Sequence, residues 1–415
     1  MTSTVAVIGA GAAGFMAACH AAGPGRRVLL LDRTAEGGRK ILISGGGRCN
    51  ILPSVLDEGR FVTASSTKSL RNILRSWPLS EQRRFFEETL RIPLVLEEES
   101  GKLFPASDRA RDVRDGLARH AREGGVEFLP NTVAVDLVPG GGRWTISRDG
   151  AKPLLVDRVV VATGGLSVPQ TGSDGAGLAF LARLGLKTHP TYPALTPLTV
   201  TPNPFGDLAG ISLRVTVRAT SSDEQSESTG GFLFTHRGYS GPAVLDVSHV
   251  AVRSRLRGGP PAELRIQWCD LDEAAWRARL APGVQAVATV LRAELPTRLA
   301  DRLLELVEIE PRTSLSQLTR AARLRLLDAL MHYSLPWTGD EGYKKAEVTG
   351  GGVALNEVHP RTLECRHHPG LFLCGELLDA FGPIGGYNFA WSWVTGRLAG
   401  MGAAGDPATD HPTSA

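Results

Sequence analysis

A chain of 415 residues, 42% of them hydrophobic, has room for two or three domains around a sizeable core. Its net charge of +3 gives no electrostatic footprint for a nucleic acid or a membrane surface. The five cysteines (Cys19, Cys49, Cys269, Cys365, Cys374) are scattered and form no CxxC pair. That excludes a zinc knuckle and a paired redox disulfide, and predicts a reduced, cytoplasmic protein.

Residues 5–23 are almost wholly apolar or small, yet no Lys or Arg precedes them and His20 with four glycines interrupts them. Neither a signal peptide nor a membrane helix is expected there. Thr4–Ile8 reads instead as a buried strand, followed at once by Gly9, Gly11 and Gly14 in GxGxxG spacing. An Ala-rich helix to about Ala22, a Pro24-Gly25 turn and a second strand, Arg27–Leu31, end on Asp32. This is the order of a dinucleotide fingerprint. Gly9 permits the tight turn, Gly11 the approach of a pyrophosphate, and Gly14 the packing of helix on strand. The helix N-terminus favours the phosphates, and Asp32 accepts a ribose hydroxyl.

The fingerprint alone leaves NAD and FAD open, because both carry an ADP half. The next segment separates them. Gly37-Gly38-Arg39-Lys40 and Ser44-Gly45-Gly46-Gly47-Arg48-Cys49-Asn50 stand where an NAD domain enters another helix. Such a loop resembles FAD enzymes, in which backbone N–H groups and cations meet the ribityl-pyrophosphate region.

Further along, Ser80–Leu90 reads as a helix, and Leu94–Glu97 with Lys102–Phe104 as a hairpin about Ser100-Gly101. Asp108 is the expected cap of a helix that stops at Gly124-Gly125. Val126–Leu129, Thr132–Val138, Arg143–Ser147 and Leu154–Ala162 read as strands, the last running into Thr163-Gly164-Gly165. From Pro190 the pattern turns β-rich, with strands at Leu198–Thr201, Leu213–Thr220, Gly231–Thr235 and Ala262–Trp268 and a polar hairpin tip at Ser221–Thr229. Residues 273–332 are helical, with a capping box at Ser314–Gln317 and a solvated face of Arg320, Arg323 and Arg325. Gly370–Gly375 is a strand, Gly386 to about Gly400 a helix, and residues 403–415 a disordered tail.

Several blocks are similar to one family. They are SGGGRCN at Ser44–Asn50, GKLFPASD at Gly101–Asp108, ATGGLS at Ala162–Ser167 and FTHRGYSGPA at Phe234–Ala243. VTGGGV at Val348–Val353, GELLD at Gly375–Asp379 and GGYNF at Gly385–Phe389 complete the set. Together they resemble bacterial FAD-binding oxidoreductases of the aminoacetone-oxidase-like and 3-dehydro-bile-acid-reductase-like type. The resemblance spans nearly the whole chain. It departs at Cys365-Arg366 and at Ala380-Phe381-Gly382-Pro383-Ile384, a loop that is more polar in the family.

The expected fold is α/β. A discontinuous Rossmann-type FAD-binding domain (1–190 and 348–402) receives a β-rich, barrel-like insert (191–272) and a small helical insert (273–332), with a return segment at 333–347. Expected cofactor contacts from the fingerprint are Gly9, Gly11, Ala12, Ala13, Gly14, Asp32 and Arg33. The following loop adds Gly38, Arg39, Lys40, Ser44, Gly45, Arg48, Cys49 and Asn50. Ala134, Thr163, Gly164, Gly165, Gly375, Glu376, Gly386, Tyr387 and Asn388 complete them. Glu376 is expected on the ribityl chain, and the N–H groups of a helix opening at Gly386 on the flavin C2 carbonyl.

Arg48, His236 and Tyr387 are the candidate catalytic residues, with His236 equally readable as a structural histidine and Cys49 as a packed thiol. Tyr239 and Asn388 also fall in family-type motifs. Trp391 and Trp393 read as core. No metal site is expected. There is no second GxGxxG, so NAD(P)H would bind only transiently as electron donor, or the substrate itself would supply the electrons.

The favoured activity is reduction of a polarised C=C or C=N bond of a small molecule by hydride from flavin N5. An FAD oxidase or dehydrogenase of a small amine, and a flavin-bearing redox or sensor protein, stay open as alternatives. FAD enzymes that modify tRNA share this type of fold, but the near-neutral charge argues against nucleic acid.

Overall fold

The computed structural model describes residues 2–405, so residues 406–415 of the expected tail lie outside the described residues. The chain divides into two compact units, Met1–Tyr192 with Glu347–Ala415 and Pro193–Ala346.

The first unit is built on a five-stranded parallel sheet. Its spatial order is Leu371–Leu373, Arg158–Val161, Ser3–Ile8, Arg26–Leu31, Glu127–Leu129. Ile8 pairs with both Leu31 and Val161, and Val161 with Leu373. Four strand ends therefore stop level with one another where the glycine turn begins. Ligands of open α/β sheets bind at such carboxyl ends. The strands are continuous apolar runs because helices cover them.

One covering helix, Ala12–Ala21, crosses another, Tyr387–Ala404, at backbone distance. A Cβ at Gly396 would lie 2.4 Å from the Ala13 carbonyl oxygen, and one at Gly400 2.3 Å from that of Ala17. The Tyr387–Ala404 helix also overruns the predicted tail boundary. Residues 403 and 404 are helical and Ala403 is buried.

Two smaller antiparallel sheets also belong to this unit. Ala134–Gly140, Arg143–Arg148 and Ala151–Val156 form one, and Leu52–Pro53, Lys102–Pro105 and Leu94–Glu97 the other. The single strand predicted over Leu154–Ala162 is thus two strands in different sheets. They part at Asp157, whose carboxylate accepts the Thr4 N–H at 2.7 Å. Asp108 is no helix cap. It has φ 56°, its carboxylate binds Arg48, and Arg109 precedes the helix Ala110–Glu123.

The second unit has a seven-stranded sheet ordered Tyr333–Ser334, Glu263–Gln267, Ser212–Thr220, Gln225–Thr235, Gly238–Ser240, Leu198–Thr199, Gly339–Asp340. Strand pairing continues to Thr220↔Gln225, so the polar tip is shorter than expected. The β-rich and helical pieces share one apolar cluster, in which Phe205, Phe232, Phe234 and Trp268 meet helix residues such as Leu299 and Leu326. They therefore form one unit rather than two inserts. The bonds at Ser314 and Gln317 do form, but the helix starts later, at Arg320, where Thr319 accepts the Ala322 N–H. Arg323 is not solvated. It donates to the carbonyls of Leu280 and Leu315.

The helix crossing generates an expectation of unusual sign. Gly→Ala within a helix ordinarily adds about 1 kcal/mol of stability. Gly396→Ala and Gly400→Ala should instead destabilise by about 1–3 kcal/mol, because the added carbon meets backbone that cannot move aside. Thermal melts of both variants check this.

Candidate functional site

A long cavity lies in the first unit, where the strands Ser3–Ile8, Arg26–Leu31 and Arg158–Val161 end. Its glycines differ in why they are glycine. Gly9 has φ 102°, and a Cβ there would sit 2.5 Å from the Ala162 carbonyl oxygen. One on Gly14 would sit 1.7 Å from the Gly9 oxygen. Both are demanded by the fold. Gly11 has an ordinary φ of −80°, and a Cβ there would meet nothing within 4 Å. It faces the cavity, at the N-terminus of a ten-residue helix whose N-cap offers no side-chain acceptor. An uncapped helix start beside open space suits a pyrophosphate.

Asp32 braces the same turn. One carboxylate oxygen accepts the Ala10 N–H at 2.7 Å, and the other the N–H and hydroxyl of Thr34 at 2.8 and 2.6 Å. The oxygen that accepts the Ala10 N–H keeps a further lone pair for a ribose hydroxyl. Gly38 donates its N–H to the Ala10 carbonyl, which ties the second glycine pair to the first. Thr163 also lines the cavity, and its hydroxyl is buried without a protein partner.

Deeper along the cavity Glu376 accepts from four groups. They are the Lys40 ammonium at 2.7 Å, the Ser167 hydroxyl, and the N–H and hydroxyl of Thr349 at 3.1 and 2.9 Å. Beyond it, Asn50 takes the amide orientation that satisfies both neighbours, donating to the Leu52 carbonyl and accepting the Gly386 N–H at 2.9 Å. Asn50 thus already holds the Gly386 N–H, one of the N–H groups at this helix start that were expected to face a flavin carbonyl. Gly386 is glycine for packing, since a Cβ would come within 2.5 Å of the Leu52 carbonyl carbon. Asn388 grips both the N–H and the carbonyl of Gly382, folding residues 382–388 into a tight turn. Asp379 holds the base of that turn through Thr63, Ala64 and Ser65, and burial raises its carboxyl above the usual range.

Of the residues expected at the cofactor, Gly9, Gly11, Ala12, Ala13, Asp32, Arg33, Gly38, Arg39, Lys40, Ser44, Gly45 and Asn50 line this cavity. So do Ala134, Thr163, Gly164, Gly375, Glu376, Gly386 and Asn388. Gly14, Arg48, Cys49, Gly165 and Tyr387 do not. Gly14 is hidden under the turn. Gly165 lets its loop approach Thr349, whose hydroxyl would be 2.4 Å from a Cβ. Cys49 is fully buried, and burial pushes its thiol up to about 12. A thiol so held is neutral and no nucleophile.

Arg48 stands behind the wall. Glu97 and Asp108 pair with it at 3.0 and 2.9 Å, and its guanidinium lies 4.0 Å from the centroid of Phe104, which does line the cavity. The Tyr387 hydroxyl donates to the Val55 carbonyl and accepts the Asp57 N–H. His236 is exposed on a turn of the second unit, where its carbonyl accepts from Asn203. Tyr239 is buried in the aromatic core of that unit, and burial raises its phenol.

Thr34, Lys102, Phe104, Ser173, Asp174 and Phe180 line the cavity and were not among the expected contacts. Lys102 and Phe104 carried a signal, since both lie in the GKLFPASD block; their hairpin strand hid the direction of the side chains. Ala380, Phe381 and Ile384, from the loop that departs from the family, are on the lining as well, whereas Cys365 is buried elsewhere. Among the described residues there is no cluster of three or more metal-ligating side chains, and no helix long and apolar enough to cross a membrane.

Residues 3–402 match the family described as HI0933-like protein Rossmann domain. The chain belongs to the HI0933-like family. The family binds FAD, and this HI0933-like chain is an FAD-binding oxidoreductase. It is 34% identical over 394 residues to the ribosomal RNA dihydrouridine synthase of Escherichia coli (strain K12), covering 93% of this chain and 94% of the relative. It is 33% identical over 413 residues to the 3-dehydro-bile acid delta(4,6)-reductase of Clostridium scindens, covering 97% and 99%. Among solved structures it resembles the 3-ketosteroid-delta4-(5alpha)-dehydrogenase of Rhodococcus jostii RHA1, with a TM-score of 0.51, 15% identity and 97% coverage of both chains. At that identity the likeness is one of fold.

The two kinds of glycine separate in one experiment. Gly11→Val should leave the melting of the FAD-free protein unchanged and abolish FAD binding, whereas Gly14→Ala should lower the melting temperature of the FAD-free protein itself. Thermal melts paired with FAD titrations read both.

Proposed function

We propose that this HI0933-like oxidoreductase reduces a carbon–carbon double bond conjugated with a carbonyl group. The observation that carries the reading is the chemistry common to two relatives that match over nearly the full chain. A dihydrouridine arises by saturating the 5,6 double bond of a uracil, which is conjugated with the C4 carbonyl. A delta(4,6)-reductase saturates double bonds conjugated with a 3-oxo group.

FAD bound in the cavity supplies a hydride donor at N5. The chain's own residues do the rest. Gly11 and the N–H groups that open the Ala12–Ala21 helix take the pyrophosphate, and Asp32 the adenosine ribose. Glu376 offers the remaining lone pair of the oxygen that faces Lys40 to a ribityl hydroxyl. Phe104, Ala380, Phe381 and Ile384 make the far end apolar, which excludes water from a hydride transfer and suits a flat ring.

For the substrate, a free small molecule is the first reading, because a net charge of +3 over 415 residues offers little for a phosphate backbone. A uridine within ribosomal RNA is the second, favoured by the 34% identical relative. NADH or NADPH is the proposed electron donor. The cytoplasm is the proposed compartment, in keeping with five free cysteines.

The test is anaerobic. FAD-loaded protein is reduced with NADH or NADPH and mixed with a 3-oxo-4,6-diene steroid, or with ribosomal RNA lacking the modification. Reoxidation of the flavin with a saturated product is expected from one of the two acceptors. Bleaching by small amines, with reoxidation by O₂ alone, would replace this reading with the oxidase.

A further inference from the structure

We infer that Lys102 is the cation that stabilises negative charge on the reduced flavin. Four cationic side chains line the cavity, and three are engaged elsewhere. Arg33 pairs with Asp174 at 2.6 Å, Lys40 with Glu376 at 2.7 Å, and Arg39 donates to the Gln170 carbonyl at 3.4 Å. Among the described residues the Lys102 ammonium has neither a hydrogen bond nor an ion pair. Glu97, opposite it on the neighbouring strand, feels its charge at a distance but is hydrogen-bonded to Arg48 and Ser100 instead.

Its location gives the cation its task. Asp32 and the start of the Ala12–Ala21 helix fix the ADP half at one end, which leaves the other end for the isoalloxazine. Lys102 is at that other end, where its Cε lies 3.8 Å from the position of a Cβ on Gly385. The neighbouring candidate for the same role, the Gly386 N–H, is spent on Asn50. A half-buried ammonium beside an apolar wall acts through less water than a surface lysine, so its field reaches a nearby anion with little screening. Two-electron reduction places a negative charge on the flavin pyrimidine ring when N1 stays unprotonated, and an ammonium at that end favours the charged form. The inference concerns the bound FAD alone and stands whichever acceptor the enzyme uses.

The test uses FAD-loaded protein without substrate. Lys102→Met keeps the length and removes the charge. It should retain stoichiometric FAD, lower the two-electron midpoint potential by about 30 mV, equivalent to tenfold, and weaken sulfite binding about tenfold. Lys102→Arg should restore most of both. Potentials and sulfite affinities equal to wild type in a fully loaded Lys102→Met protein would overturn the inference. Should the variant lose FAD, the wild-type protein decides. Its reduced flavin should keep the anionic spectrum to a lower pH than free reduced FAD, and protonation at the free-solution value would refute the role.

Discussion

The first unit is assembled from chain segments far apart in sequence, and one carboxylate joins them. Glu376 accepts from Lys40 in the glycine loop, Ser167 after the Arg158–Val161 strand, and Thr349 in the segment that re-enters the unit. Its side chain is only 15% exposed. A poorly hydrated carboxylate is stable while every partner is in place and costly once any is lost. The cavity wall therefore closes only when the return segment has docked, however well the fingerprint forms locally.

Around that anchor the cavity is shaped by backbone more than by side chains. Gly9 against Ala162, Gly14 against Gly9, and Gly386 against Leu52 are all approaches closer than any side chain permits. The helices Ala12–Ala21 and Tyr387–Ala404 meet in the same way and both begin beside the cavity. A displacement of one is handed to the other without a compliant layer between them. Variation is left to the walls that are side chains, chiefly Phe104 and the Ala380–Ile384 turn.

The parts legible in the sequence were those in which local chemistry dictates geometry. A strand, three spaced glycines, a helix and an acid can form little else, and the Gly37–Asn50 loop singled out the cofactor. The misreadings have physical origins that can be named. Arg48 and Cys49 lie in a motif at the cavity, but neighbouring residues in irregular chain face opposite ways and no periodicity says which; Tyr387 opens a helix, and its hydroxyl is taken by the backbone of Val55 and Asp57. Asp108 looked like a cap because it precedes a helix; Arg48, sixty residues earlier, claims its carboxylate. Ser314 and Gln317 make capping-box bonds without a helix behind them. The strand over Leu154–Ala162 is apolar at both ends, and only the Asp157 contact with Thr4 divides it. At Asp108 and within Leu154–Ala162 a long-range partner overrides a local preference.

Gly11 records something different from its neighbours. Gly9 and Gly14 are glycine because the protein would otherwise collide with itself, whereas the space beside Gly11 belongs to a guest. The three positions thus answer to separate selective pressures although they sit in one motif. A descendant that kept this architecture but gave up its flavin would be free to change at Gly11 while still bound at Gly9 and Gly14. Side chains at that one position across a lineage would mark where redox chemistry had been abandoned before any change in shape betrayed it.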